Sequence, residues 1–117
     1  MTESEVYKKI IKPWCNKNKI LVRRVESPSI PDVYMAKRNN VLWGELKCVH
    51  TERRIVKPDW RVGQLAWIKE NQLHGNDNIC LLLYYCGQVF WLEPKEEYLE
   101  EELVCQREVY LQRLNRR

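Results

Sequence analysis

Residues Ile79 to Tyr85, reading Ile-Cys-Leu-Leu-Leu-Tyr-Tyr, form a nearly continuous apolar run. A strand of this kind has no polar side to turn to water, so it fits a central place in a sheet covered on both faces. The rest of the chain must supply that cover. Residues 3–15 read as a helix, with Thr2 as N-cap, Glu3 and Glu5 at the positive end of the dipole, and Val6, Tyr7, Ile10, Ile11 and Trp14 at helical spacing. Pro13 stops or kinks it near the end. Ile20 to Val25 reads as a short strand, and Glu26 to Pro31 as a proline-punctuated loop. Val33 to Lys37 and Val41 to Val49 read as two strands around Asn39-Asn40, and Thr51 to Asp59 as a basic loop. Pro58-Asp59 starts a helix that runs to about Leu73 and ends at His74-Gly75-Asn76. After the apolar run, Cys86-Gly87 turns and Val89 to Leu92 returns as a strand. Pro94 opens a last helix to about Leu114, with Leu99, Leu103, Tyr110 and Leu114 along one stripe. The order α-β-β-β-α-β-β-α predicts an α/β domain with one mixed sheet flanked by helices.

A chain of 117 residues fits one domain, 1–117. Its 44% apolar and 31% charged residues are ordinary for a globular protein and exclude a disordered one. The five cysteines are odd in number and form no CxxC pair, which argues against a disulfide framework and a zinc knuckle. Free thiols in a reducing cytosol account for them. No segment approaches the roughly 20 apolar residues of a membrane span. The start, Met1-Thr-Glu-Ser-Glu5, lacks the basic residues and apolar run of a signal peptide, so a cytoplasmic location and no membrane partner are expected. The net charge of +4 favours an anionic partner only weakly. Its distribution says more: Arg38 sits on a hairpin tip, and Arg53, Arg54, Lys57 and Arg61 cluster behind Lys47, while acids gather in Glu93 to Glu102. Those five cations are the candidate nucleic-acid contacts, and the 53–61 cluster reads as readily as a solvated face.

The two strands around Asn39-Asn40 carry the chemistry. Asn tolerates positive φ, so the dipeptide suits a two-residue type I′ turn. Arg38 then pairs with Val41, Asp32 falls opposite Lys47, and Tyr34 falls opposite Glu45. Alternation places Asp32, Tyr34, Trp43, Glu45 and Lys47 on one face. Val33, Met35, Leu42, Leu46 and Cys48 share the other, apolar face. Asp32 and Glu45 become diagonal neighbours, about 7–8 Å apart at Cα, which lets both carboxylates converge on one cation. Oxygen donors alone, with the Leu46 carbonyl as a third, select Mg²⁺ or Mn²⁺ over zinc. Two acids and a lysine around a hard cation are equipment for cutting a phosphodiester. The same alternation of Glu and Lys describes the wet side of a half-buried sheet. Against that stand the central place of the strand and the presence of Trp43 on the charged face.

Pro31-Asp32 followed by Glu45-Leu46-Lys47 resembles the signature of the PD-(D/E)XK nuclease superfamily. The α-β-β-β-α-β order is similar to that superfamily's core. The resemblance therefore implies a restriction-endonuclease-like αβββαβ core, with a mixed central sheet and an added C-terminal helix. It spans roughly residues 3–85 and is nearest to small VRR-NUC and archaeal-type Holliday-junction resolvase members, many of them phage-encoded. Those proteins carry an acid early in the first helix, an Arg-containing strand before the motif, and a Gln with a nearby aromatic in the next helix. Glu3, Arg23-Arg24, Gln64 and Trp67 occupy those places here. Residues 95–117 do not map to the family core. The resemblance and the chemistry together imply that Asp32 and Glu45 hold Mg²⁺, and that Lys47 orients the attacking water or stabilises charge on the phosphorane. On a helical wheel Glu3 points along the apolar face and Glu5 points away, so Glu3 is the preferred acid; a first-turn dipole stabiliser is its other reading. Gln64 shares a helical face with Trp60, Trp67, Ile68 and Asn71, as an amide aimed at the site or as a boundary glutamine.

The function so implied is that of a Mg²⁺-dependent DNA endonuclease, with Mn²⁺ as substitute. Its substrate would be duplex or branched DNA, Holliday junctions included, in recombination, replication or repair. It would work in the bacterial or host cytosol. One site per domain implies a homodimer if both strands are cut. Two alternatives remain open: a binding module of the same fold that lost catalysis, and an interaction protein with no nucleic-acid role.

Overall fold

The computed structural model describes residues 1–27, 30–50 and 54–116. Its strands are β1 (Leu21–Arg24), β2 (Val33–Lys37), β3 (Asn40–Val49), β4 (Ile55–Val56), β5 (Ile79–Tyr85), β6 (Gln88–Leu92) and β7 (Tyr98–Leu99). The apolar run is β5, and every residue of it except Tyr84 is buried. It lies inside a five-stranded mixed sheet of order β1-β2-β3-β5-β6, parallel to β3 and antiparallel to β6. Strands β4 and β7 form a separate antiparallel pair. The fold is thus α/β, with one mixed sheet and helices. No helix among the described residues is long and apolar enough to cross a membrane.

The sheet divides the interior in two. On one face the N-terminal helix and the C-terminal helix (Arg107–Leu114) pack Val6, Ile11, Cys15, Tyr110 and Leu114 against Val33, Met35, Leu42, Leu46, Leu82 and Trp91. On the other, Val56 and Tyr98 join Leu81, Leu83, Tyr85 and Leu92. The N-terminal helix is α-helical over Glu3–Val6, π-helical over Tyr7–Ile11 and α-helical again over Lys12–Lys17. Pro13 therefore neither stops it nor ends it early. A proline ring collides with the carbonyl four residues back; here Lys12 N–H bonds to Tyr7 O, five residues back, and this wider turn makes room. Helix 3–17 so outlasts the expected 3–15.

Three other expectations are corrected. The hairpin turn uses Arg38 and Asn39, with φ of 54° and 67°, rather than Asn39 and Asn40. Asn40 belongs to β3, and its side-chain amide donates to Leu114 O at 3.0 Å and Arg116 O at 2.6 Å. The end of the C-terminal helix thus holds Asn40 and moves the turn back by one residue. The middle helix spans Gln64–Leu73 instead of starting at Pro58-Asp59, because Gly63 takes a left-handed φ of +88° that interrupts an α-helix. Residues 94–106 do not belong to the last helix. Glu96, Glu97, Glu100 and Glu101 would set like charges at i, i+4. Instead Tyr98 is buried, its hydroxyl accepts Lys95 N–H at 2.9 Å, and Tyr98-Leu99 pair with Ile55-Val56. Of the expected stripe, Tyr110 and Leu114 are buried, while Leu99 is exposed.

Candidate active site

The ladder between β2 and β3 runs from Lys37↔Asn40 to Val33↔Gly44. Relative to the expected register, one strand has slid by two residues. A slide of one would turn every side chain over; a slide of two leaves each on its face. Tyr34 now sits opposite Trp43, their rings 5.1 Å apart edge to face, rather than opposite Glu45. One further step would set Asp32 opposite Glu45, closer than the diagonal placement expected. The ladder stops short of that step, and the side chain takes over: Asp32 Oδ1 accepts the Leu46 N–H at 2.9 Å. A residue's N–H and C=O point to the same edge of a strand, so the Leu46 carbonyl turns to this edge as well.

Glu45, Lys47 and Gln64 are the buried polar or charged residues among those described. Burying such groups is costly unless they satisfy one another. Lys47 Nζ donates to Gln64 Oε1 at 3.0 Å and lies 3.6 Å from Glu45 Oε1. Gln64 Nε2 donates to Glu45 Oε1 at 3.1 Å. Only one amide orientation serves both partners, oxygen to the ammonium and nitrogen to the carboxylate. The Arg61 N–H locks it, donating to Gln64 Oε1 at 2.8 Å. The turn that delays the middle helix is therefore the device that aims its first residue.

Asp32, partly buried, stands at the border between this cluster and a cleft of about 350 Å³ lined by Glu3, Arg24, Val25, Glu26, Ser27, Asp32 and Arg61. The carboxylates feel one another. Burial first, then the charge of Asp32, holds Glu45 at about 7 against an ordinary 4.5, although Lys47 pulls the other way. Burial also raises Asp32, with a further push from Glu3, against the Leu46 hydrogen bond and Arg24. Glu3 thus faces the site. Glu5 does not: its carboxylate closes the capping box on Thr2 and pairs with Lys9 at 3.5 Å.

The expected cations disperse. Arg61 lines the cleft. Arg38 is exposed on the hairpin tip. Arg54 and Lys57 are exposed but paired, with Glu101 at 3.0 Å and Glu97 at 3.6 Å. Arg53 lies outside the described residues. The acidic stretch, remote from the site in sequence, is folded beside the basic one by the β4–β7 pairing. Two residues named from the sequence without a site role also contribute. Arg24, half of the Arg-containing pair on β1, lines the cleft. Trp60 was placed on a helical face, but it precedes the helix and sets its ring 5.7 Å from Lys47 Nζ.

Among the described residues no group of three or more His, Cys, Asp and Glu side chains is arranged to hold a metal ion. The donor set offered here is of another composition: two carboxylates and a main-chain carbonyl. Its chemistry suits a hard cation, because mutually repelling, partly desolvated carboxylates gain most from added positive charge. No family model matches the chain, and no curated protein matches it.

Proposed function

We propose that this protein is a Mg²⁺-dependent DNA endonuclease of the PD-(D/E)XK type, acting on duplex or branched DNA. The observation that carries the reading is the buried Glu45–Lys47–Gln64 cluster abutting Asp32 and Glu3 at the mouth of a cleft. A purely structural protein gains nothing from setting Asp32 and Glu45 where burial and neighbouring carboxylate charge raise the proton affinity of both. With the β4–β7 pair set aside, the helix, three-strand, helix, strand order of the five-stranded sheet and the parallel β3–β5 pairing support the family reading.

Asp32, Glu45 and the Leu46 carbonyl would hold the cation. A divalent ion bound there would supply a Lewis acid for a phosphate and for a bound water. The chain's own groups do the rest. Arg24 and Arg61 present guanidinium groups to phosphate oxygens entering the cleft. Lys47, oriented by Gln64, supplies fixed positive charge beside the carboxylates, where charge builds on the phosphate. Burial of Glu45 and Lys47 keeps water from weakening that field.

Purified protein incubated with a four-way junction, a flap and a linear duplex should cut only when Mg²⁺ or Mn²⁺ is added. Asp32→Ala should lower the rate by roughly a hundredfold or more. Cleavage that survives this change, or none on any substrate, ends the nuclease reading. Salt-dependent DNA binding without turnover would select the catalytically inactive module.

A further inference from the structure

Lys47 is in an unusual position for a charged group: it is 5% exposed, and among the described residues its hydrogen-bond acceptor is Gln64 Oε1, which also accepts the Arg61 N–H. Its carboxylate partner, Glu45, stands at 3.6 Å and is the same residue that would bind a divalent ion. Once that ion engages Glu45, the carboxylate's charge is shared and the ammonium loses much of its electrostatic anchor. Gln64 Oε1 then holds one of its three N–H groups, and a second contact independent of Glu45 is needed to fix its direction. The ring of Trp60 lies 5.7 Å from Nζ, within the range of a cation–π contact.

Trp60 is itself held. Its indole N–H donates to Lys95 O at 2.8 Å, its own N–H bonds to Pro58 O at 2.9 Å, and its ring packs against the cluster of Val56, Leu81, Leu83 and Tyr98. Lys95 is fixed in turn, with its N–H on the Tyr98 hydroxyl at 2.9 Å and its ammonium on Glu102 at 2.8 Å. The tether therefore runs from the 94–102 segment, through the indole, to the lysine.

We propose that Trp60 is a positioning residue, whose π face holds the Lys47 ammonium in place when a divalent cation draws on Glu45, and that the 94–98 turn aims the ring. This rests on the nuclease reading. It also gives the post-sheet segment a part in the site.

Steady-state cleavage of a DNA substrate in Mg²⁺ tests it, using the full chain and the variants Trp60→Phe and Trp60→Leu, with thermal unfolding of each. Trp60→Leu removes the π face; kcat should fall roughly tenfold with KM for DNA unchanged. Trp60→Phe keeps a face and loses only the indole tether; it should restore kcat to within about threefold. A rise in KM at constant kcat would mean that Trp60 binds DNA, and would overturn the proposal. So would equal loss in both variants tracking their unfolding temperatures, which is the signature of mere packing. Wild-type cleavage with both variants unaffected sinks this inference alone; failure of the wild type to cleave sinks the nuclease reading beneath it.

Discussion

Glu45 carries the largest electrostatic strain in the site, and its proton reports it. Its carboxyl is held near 7 in the folded chain against 4.5 as a free group, by burial and by Asp32. A raised acid stabilises the fold fully below the unfolded value, and that contribution is lost as pH rises through the folded one. Wild-type stability should therefore decline from about pH 5 to pH 8 relative to Glu45→Gln, which cannot ionise. By pH 8 the variant should gain about 1–3 kcal/mol on the wild type, measured by urea unfolding at both pH values. Mg²⁺ at pH 8 should raise the wild-type unfolding temperature and leave Glu45→Gln unmoved. A pH-independent difference between the two proteins would refute the assignment of Glu45 as a strained, cation-seeking acid. The same proton predicts cleavage activity that rises through about pH 7, because the cation competes for the ionised form.

At the scale of the element, the hairpin shows how register and face are decided separately. Gly44 lies opposite Val33 on the apolar side, where an added Cβ would stand 2.7 Å from Leu82 Cδ1 and 3.3 Å from Met35 Cε. Both neighbours are wholly buried, so little can give. Gly44→Ala should cost about 1–3 kcal/mol of stability by overpacking, and a neutral result in denaturant melts would contradict this account of the β3 core. The tip offers the opposite case. Arg38 occupies a left-handed conformation, φ 54°, that Asn adopts with less strain. Arg38→Asn should stabilise by several tenths of a kcal/mol up to about 1, while removing one tip cation. If Arg38 meets a phosphate, the slope of log affinity against log salt should flatten by about one. An unchanged slope removes it from the contact surface.

The whole molecule sets its acids against its bases. The pairing of β4 with β7 brings Glu97 and Glu101 onto Lys57 and Arg54, so these cations are screened while Arg24 and Arg61 remain at the cleft. Exposed pairs like these contribute little to stability. Replacing both acids, Glu97→Gln with Glu101→Gln, should leave the fold intact, raise DNA affinity severalfold and steepen its salt dependence by one to two phosphates. No gain in affinity would place the DNA path elsewhere. The amino-acid sequence alone determined the α/β class, the buried β5 strand and the face shared by Asp32, Glu45 and Lys47. Those rest on local apolar periodicity and on two-residue alternation, which a two-residue slide of register cannot undo. It also contained, unread, the like-charge spacing from Glu96 to Glu101 that disfavours a helix there. Tertiary structure decided the rest. The turn moved because Asn40 is held by Leu114 and Arg116, and the acidic stretch met the basic one across residues 57 and 97. Between the two sequence readings of Gln64, an amide aimed at the site or a boundary glutamine, packing favours the first: Arg61, three residues earlier, grips its amide while Glu45 and Lys47 receive it from another strand. Contacts between residues so far apart along the chain have no local pattern to announce them; they exist only once packing has brought their partners within a hydrogen bond's reach.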